Sequence, residues 1–409
     1  MLQEKLRKYA ELLVKTGINL KKNQILVVRT PVECADFARL ISEIAFKEGA
    51  RDVVLNWSDE VASKIRYLYG PDDLFNYFPS WQKEFYLSYV RQDAAFLSIS
   101  ASDPDVMKDV DPERIQRYSR VVSAEIEEYR TRMMNNENVW CVASVPAPSW
   151  AKKVFPELSE EEAVEKLWEA IFDAVRVNEE DPVAAWDAHK ANLKKQMDLL
   201  NDHRFKSIHF TNELGTDLHV ELPEGHLWLG GSDLTPDGHE FIANMPTEEV
   251  FTAPKRDGVN GKAVSAMPLN FNGSLIEDFE IEFKDGAVVD FKAKTGYENL
   301  RRLIETDEGS KYLGEVALVP YDSPISNTGI LFYNTLFDEN AACHLALGKA
   351  YPVCIEGGEK LDSDELIKRG INDSITHEDF MIGTKDMKIS GINKDGVEVL
   401  IFEHGNFVL

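Results

Sequence analysis

The hydrophobic period of this chain changes once, near residue 203, and that change constrains the fold more than any other feature. Before it, compact apolar runs stand between segments of helical period: Ile25-Leu-Val-Val-Arg-Thr30, Asp52-Val-Val-Leu-Asn-Trp57, Ala94-Ala-Phe-Leu-Ser-Ile-Ser100 and Val139-Trp-Cys-Val-Ala-Ser-Val145. A helix is expected before the first run, at about 3–16, another at about 33–48 and a helical pair at about 59–91; the one at 33–48 carries Phe37, Leu40, Ile41 and Ile44 on one stripe and closes at Gly49. Strands that alternate with helices predict a mostly parallel sheet covered on its faces. The aromatic series Trp81, Phe85 and Tyr89 has helical spacing and reads as core or as an interface stripe. From about 157 to 202 the chain is helical and acidic, with Ser159-Glu-Glu-Glu162 as a capping box and Pro182 in the first turn of a further helix. These two helices are expected to link the halves. Beyond about 204 the period becomes two, in Ser207-Ile-His-Phe-Thr211, Asp217-Leu-His-Val-Glu221, Leu275-Ile-Glu-Asp-Phe-Glu-Ile-Glu-Phe283 and Ala287-Val-Val-Asp-Phe291. Lys284-Asp285-Gly286 is a hairpin signal between the last two. The expected architecture is an α/β N-terminal domain, 1–202, with a mostly parallel sheet, then an α+β, largely antiparallel domain, 203–409. A length of 409 residues suits two domains.

Charge narrows the partners. Asp and Glu number 71 against 45 Lys and Arg, a formal charge of −26, which repels phosphate backbones and argues against nucleic acid. Such a surface suits cations, including metal ions and free amines. The amino-terminal MLQEKLRKYAELLVKTG is amphipathic and lacks an apolar stretch of signal-peptide length, and no run of about 18 apolar residues occurs, so no membrane span is expected. Cys34, Cys141, Cys343 and Cys354 show no C-x-x-C spacing and read as reduced, buried thiols of a cytoplasmic protein. Asn272-Gly-Ser274 and Asn372-Asp-Ser374 fit the glycosylation pattern, which carries no meaning without secretion.

Four patches of the second half carry histidine or carboxylate beside apolar runs. In Asn244-Met-Pro-Thr-Glu-Glu-Val-Phe-Thr-Ala-Pro254, adjacent Glu248 and Glu249 point to opposite faces of an extended chain, so only one readily enters a shared site. In Leu313-Gly-Glu-Val-Ala-Leu-Val-Pro320, Glu315 heads a buried strand and needs a partner, because burying a lone carboxylate is expensive. Asp338 to Tyr351, DENAACHLALGKAY, has helix character: an acidic start, Ala and Leu through its middle, and His344 and Tyr351 about two turns apart on one face, with Gly348 leaving a bare patch between them. Glu339 would lie about 140° around that helix from His344 and would have to reach from the first turn. In Ser374-Ile-Thr-His-Glu-Asp-Phe-Met-Ile-Gly383 the Phe-Met-Ile run favours a strand, which puts His377 and Asp379 on one face and Glu378 on the other. Together the patches offer two imidazoles and three or four carboxylates, a set that matches two divalent cations in ligand type and charge. Imidazole and carboxylate without thiolate suit Zn, Co or Mn, and ions about 3.5–4 Å apart would share a bridging carboxylate. There is no G-x-G-x-x-G after the first strand, P-loop, H-E-x-x-H, G-x-S-x-G or recognisable Cys–His context.

The stretches NMPTEEVFTAP, GEVALVP, NTLFDENAACHLALGKAY and HEDFMIG, in this order and spacing, resemble the M29 family of metalloaminopeptidases, the aminopeptidase T, aminopeptidase S and PepS group. The resemblance runs over essentially the whole chain and is densest from Asn244 to Gly383. It implies Glu249 rather than Glu248 as a metal ligand, with Glu315, His344, His377 and Asp379, and Glu339 as a further one. It marks Tyr351 as an active-site tyrosine that touches the metal or donates to an oxyanion. The implied activity is removal of N-terminal residues from short peptides by attack of a water activated between two divalent ions, with Glu315 bridging and either Glu248 or Glu315 as general base. It also implies a homodimer with its metal sites facing an internal cavity. A different metal-dependent amide or ester hydrolase, and a non-catalytic α/β binding protein, are the competing classes.

Overall fold

The run Ile25–Pro31 is buried along nearly its whole length, as a strand flanked on both sides and covered on both faces must be. The computed structural model describes residues 2–101, 103–271 and 273–409; Asn272 of the first glycosylation pattern lies outside them. In chain order the strands begin with β1 (Ile25–Pro31), β2 (Asp52–Ser58), β3 (Ala95–Ser100), β4 (Trp140–Ser144), β5 (Ser207–Thr211), β6 (Asp217–Glu221) and β7 (Leu229–Gly230). Short strands follow: β8 (Asp233–Leu234), β9 (Glu240–Phe241), β10 (Asn244–Met245), β11 (Val250–Thr252), β12 (Val259–Val264) and β13 (Leu269–Phe271). The last are β14 (Ser274–Lys284), β15 (Ala287–Thr295), β16 (Leu313–Leu318), β17 (His344–Gly348), β18 (His377–Met381), β19 (Lys388–Ile392), β20 (Glu398–Glu403) and β21 (Asn406–Phe407).

The chain divides into two compact units, Met1–Ala188 with Ser232–Pro246, and His189–Gly231 with Thr247–Leu409. The boundary expected at 202/203 falls inside the second unit, because the helix Pro182–His203 crosses from one unit to the other. In the first unit β2, β1, β3, β4 and β10 form one parallel sheet in that order. One side of its core is aromatic: Tyr9 stacks on Phe37 and meets Phe172 edge-on, and Trp168 stacks on Phe172. The helix Ala35–Lys47 buries Phe37, Ala38, Ile41, Ile44 and Ala45, the stripe its spacing predicts. The Trp81 series splits: Phe85 and Tyr89 pack beside Val27 and Phe96, whereas Trp81 is 69% exposed. Ser159 makes the capping box with Glu162. No described helix is long and apolar enough to cross a membrane. All four cysteines are free and buried.

The second unit is antiparallel. A large sheet runs β13, β14, β12, β6, β5, β19, β20, β21, with β15 paired to β14. A five-stranded sheet runs β18, β17, β16, β11, β7. Their shared core includes Phe205, Phe210, Trp228, Phe279, Leu345, Leu347 and Phe380. The Asp285-Gly286 turn joins β14 to β15, as the hairpin signal predicts.

The expected helix at 338–351 does not form. Glu339–Ala341 is one 3₁₀ turn, and His344–Gly348 is β17, paired on both sides and buried at every residue. Ala and Leu serve a doubly covered central strand as well as a helix, and two flanking partners outweigh intrinsic propensity. The acidic start serves a loop instead: Asp338 accepts backbone N–H bonds from Phe332 and Asn334 at 2.8 and 3.0 Å. Gly348 is likewise no helical gap. Its φ is +107°, and a Cβ there would lie 2.2 Å from the Thr376 carbonyl oxygen. Gly348→Ala should therefore destabilise the protein by about 2–4 kcal/mol; a urea-unfolding midpoint equal to wild type would show that the strand end relaxes freely.

Candidate metal centre

Register in the five-stranded sheet explains which side chains meet. Glu315 on β16 pairs with Ala346 on β17, and Ala346 pairs with Asp379 on β18, so the three form one row across the sheet. His344 and Gly348 flank Ala346 at a spacing of two and share its face; Gly348 pairs with His377. Only Ala346 and Gly348 occupy the central strand between the acidic and imidazole groups, and their small size leaves room there. Phe251 pairs with Ala317, which pairs with His344, so this face extends onto β11. Glu249, two residues before Phe251, continues it. Glu378 pairs with Leu347 on the opposite face, as the strand pattern predicts.

Two trios result. Glu249, Glu315 and His344 place one ligand atom each within 4.8 Å of one another, and so do Glu315, His377 and Asp379. Glu315 belongs to both. Its Oε1 lies 3.4 Å from His344 Nε2 and its Oε2 lies 3.7 Å from His377 Nε2. Glu249 Oε2 is 3.0 Å from His344 Nε2, and Asp379 Oδ1 is 3.6 Å from His377 Nε2. Glu339 is buried and electrostatically coupled to Asp379 and Glu249, but it stands outside both trios. Tyr351 reaches the site from the extended segment after β17, not from a helix. Its ring meets His377 edge-on at 5.3 Å and Phe251 at 5.9 Å.

The imidazoles are oriented by the backbone. His344 Nδ1 lies 3.1 Å from the Ala342 carbonyl oxygen and His377 Nδ1 2.6 Å from that of Lys349. A carbonyl only accepts, so each Nδ1 carries a proton and each Nε2 is the nitrogen turned toward the carboxylates. Burial pushes the Glu315 carboxyl up to about 7, against the hydrogen bond from His344, with Asp379 and Glu249 adding to the rise. Glu339 is raised well above the usual carboxylate range by burial, then by Asp379 and Glu249. Burial opposes a charged His344, but hydrogen bonds to Glu249 and Glu315 outweigh it and raise its pKa. The Glu249 Oε2 and Asp379 Oδ1 atoms are buried, and each faces an imidazole Nε2, at 3.0 and 3.6 Å. Buried carboxylate oxygens crowded against two imidazole Nε2 atoms, with no described Lys or Arg among the ion pairs they make, fit divalent cations.

Sequence reasoning missed the supports. Asn340, fully buried, accepts from the Glu248 N–H at 2.7 Å and donates to the Leu336 carbonyl, which fixes the segment carrying Glu249. His189, on the helix Pro182–His203, lies 2.7 Å from the Thr247 carbonyl oxygen and 3.5 Å from Glu248 Oε2. Asn372 donates to the Gly348 carbonyl at 2.6 Å. The only signal for Asn340 was its place beside Glu339; a histidine on a charged helix and an asparagine in a loop gave none.

A parallel sheet followed by antiparallel sheets, with a buried His–carboxylate cluster on the second, defines a scaffold suited to metal-assisted hydrolysis. The family model described as thermophilic metalloprotease (M29) matches residues 2–407. Aminopeptidase AmpS of Bacillus subtilis is 47% identical over 99% of this chain and 98% of its own length. Aminopeptidase T of Thermus thermophilus is 41% identical over the same shares. The solved structure of wild-type AmpT from Thermus thermophilus superposes with a TM-score of 0.93 at 40% identity, covering both chains completely. The chain belongs to the M29 metalloprotease family, and it is a peptide-bond hydrolase.

The opposite faces of β18 give a paired test. Glu378 is half-buried, and burial with Asp379 beside it pushes its carboxyl up to about 8, against His377. It is therefore mostly protonated at neutral pH, and glutamine is a close neutral substitute. Glu378→Gln should keep peptidase activity within about twofold, whereas Asp379→Asn should lose at least about 100-fold, since even outer partners of metal ligands are worth 10–100-fold. Equal losses in the two variants would mean that β18 does not separate them.

Proposed function

We propose that this protein is a dinuclear metal-dependent aminopeptidase that removes N-terminal residues from short peptides. The observation that carries the reading is the placement of the two Glu315 oxygens, one toward each imidazole, as a bridging carboxylate requires. Glu249, Glu315 and His344 would hold one divalent ion and Glu315, His377 and Asp379 the other, with Glu339 a further ligand. Four carboxylates balance the charge of two divalent ions. Zn, Co or Mn suits this donor set. When bound, such ions supply Lewis acidity, acidifying a water and polarising the scissile carbonyl.

The chain's own groups do the rest. The phenol of Tyr351 is held neutral, its pKa raised by burial and then by Glu315 and Asp379. It keeps its proton at working pH and donates to the oxyanion that develops on the scissile carbonyl. Proton transfer would fall to Glu315 or to Glu248, whose Oε2 lies 3.5 Å from His189 Nε2. The free α-amine of the substrate would meet a metal or a carboxylate, which selects a chain end over an internal bond. A cytoplasmic homodimer is part of this reading; it rests on the family resemblance, and a second copy would have an exposed apolar stripe to cover at Val61, Ile65 and Tyr69.

Glu315→Gln should abolish cleavage of an aminoacyl-p-nitroanilide by at least about 100-fold and lower the bound divalent ion, with an unchanged far-UV circular dichroism spectrum. Chelation of the wild type should give the same loss, reversed by Co or Zn. Wild-type turnover by the variant would sink the assignment, and turnover of N-acetylated peptides equal to free ones would redirect it to another amidase. Tyr351→Phe should retain both ions yet lower kcat by roughly 100- to 1,000-fold, a loss that KM should not share.

A further inference from the structure

A second cluster of metal-ligating side chains lies on the large sheet of the second unit. His209 on β5 and His219 on β6 are directly paired across the strands. Their rings stack with centroids 3.7 Å apart and planes 11° from parallel. Asp217, two residues before His219 and on the same face, accepts from His209 Nε2 at 2.7 Å. One ligand atom from each of the three lies within 4.8 Å of the others. The trio is solvent-accessible: His209 is half-buried, and Asp217 and His219 are exposed.

We propose that His209, Asp217 and His219 form a separate surface site for one transition-metal cation of the Zn²⁺, Ni²⁺ or Cu²⁺ class. Two nitrogens and one carboxylate oxygen are the donors those ions prefer, and hard ions such as Mg²⁺ and Ca²⁺ do not. The backbone is fixed, since β5 is paired on both sides by β19 and β6, and β6 by β5 and β12. Ligand atoms around a tetrahedral ion stand about 3.3 Å apart for bonds of about 2.0–2.1 Å, so small side-chain rotations complete the site, and exposure permits them. Lys262 is in register opposite Asp217 but lies 3.4 Å from Glu280, which draws it aside. Three protein ligands leave a position for water or an external group. The site is independent of the buried cluster, with which it shares no residue.

The test uses the full-length, untagged protein after chelation and dialysis, with Cu²⁺ and Ni²⁺ as probes. Metal analysis after equilibrium dialysis should show one more equivalent in wild type than in the His209→Gln/His219→Gln double variant. That difference holds whatever the buried cluster takes up, so it is separable from the proposed function. The Cu²⁺ electron paramagnetic resonance of wild type should contain a component split by two nitrogens that the double variant lacks. Wild type should bind a Ni²⁺-charged resin, and the variant should elute at least tenfold earlier in imidazole. The variant should keep wild-type peptidase activity and a metal-free melting temperature within a few degrees. Equal stoichiometry and equal resin retention in the two proteins would overturn the proposal and leave the trio as a cross-strand stack.

Discussion

Four carboxylates and two imidazoles of this protein converge on one buried region of the second unit, and their mutual repulsion sets what the surrounding structure must do. Ions taken from water cost several kcal/mol each after relaxation, and like charges add to that. The strain is visible in the carboxylates, where Glu315 rises to about 7 and Glu339 is also raised, and both imidazoles answer it by holding protons more tightly than free histidine. Such a cluster persists only on a rigid frame. Here β17 is hydrogen-bonded on both sides, and Leu345 and Leu347 anchor its other face in the apolar core. The core that stabilises the unit is thus the back of the same strand that carries the site.

Legibility of the sequence followed element length and locality. Long apolar runs such as Ile25–Pro31 and the amphipathic helix Ala35–Lys47 announce themselves because their pattern repeats over several residues. The capping box at Ser159 and the turn at Asp285-Gly286 are local chemistry, and both stand as read. Two-residue strands have no period. Asn244–Met245 adds an edge to the parallel sheet of the first unit from a segment more than 90 positions beyond β4, and nothing in its composition signals that return. For the same reason the excursion Ser232–Pro246 was invisible.

The candidate site was legible as a set of residues and illegible as geometry. Parity on β18 separates Asp379 from Glu378 because that strand is regular. Parity for Glu248 and Glu249 depends on β11 register, which only pairing with β16 supplies. The stretch 338–351 failed because Ala-Cys-His-Leu-Ala-Leu is ambiguous between a helix and a doubly buried strand, and the arbiters are tertiary partners. His344 and Tyr351 still reach the site, by a strand and an extended exit in place of a shared helical face.

A bulge accounts for the least legible step. In an unbroken strand Leu313 and Glu315 would share a face, and Glu315 would follow Leu313 into the core. Instead Leu313 pairs with Leu347 while Glu315 pairs with Ala346, so Gly314 is the extra residue that turns Glu315 to the opposite face. Gly314 is also where the end of β17 comes closest: a Cβ there would lie 2.4 Å from the carbonyl oxygens of both Gly348 and Lys349. Those two carbonyls have tasks of their own. That of Gly348 accepts from Asn372, and that of Lys349 accepts from His377 Nδ1, fixing which nitrogen of the ring faces Glu315. A missing side chain at one position therefore aims the carboxylate and, through the approach it permits, sets the tautomer of the imidazole opposite it. Neither effect leaves a chemical group in the sequence to be noticed.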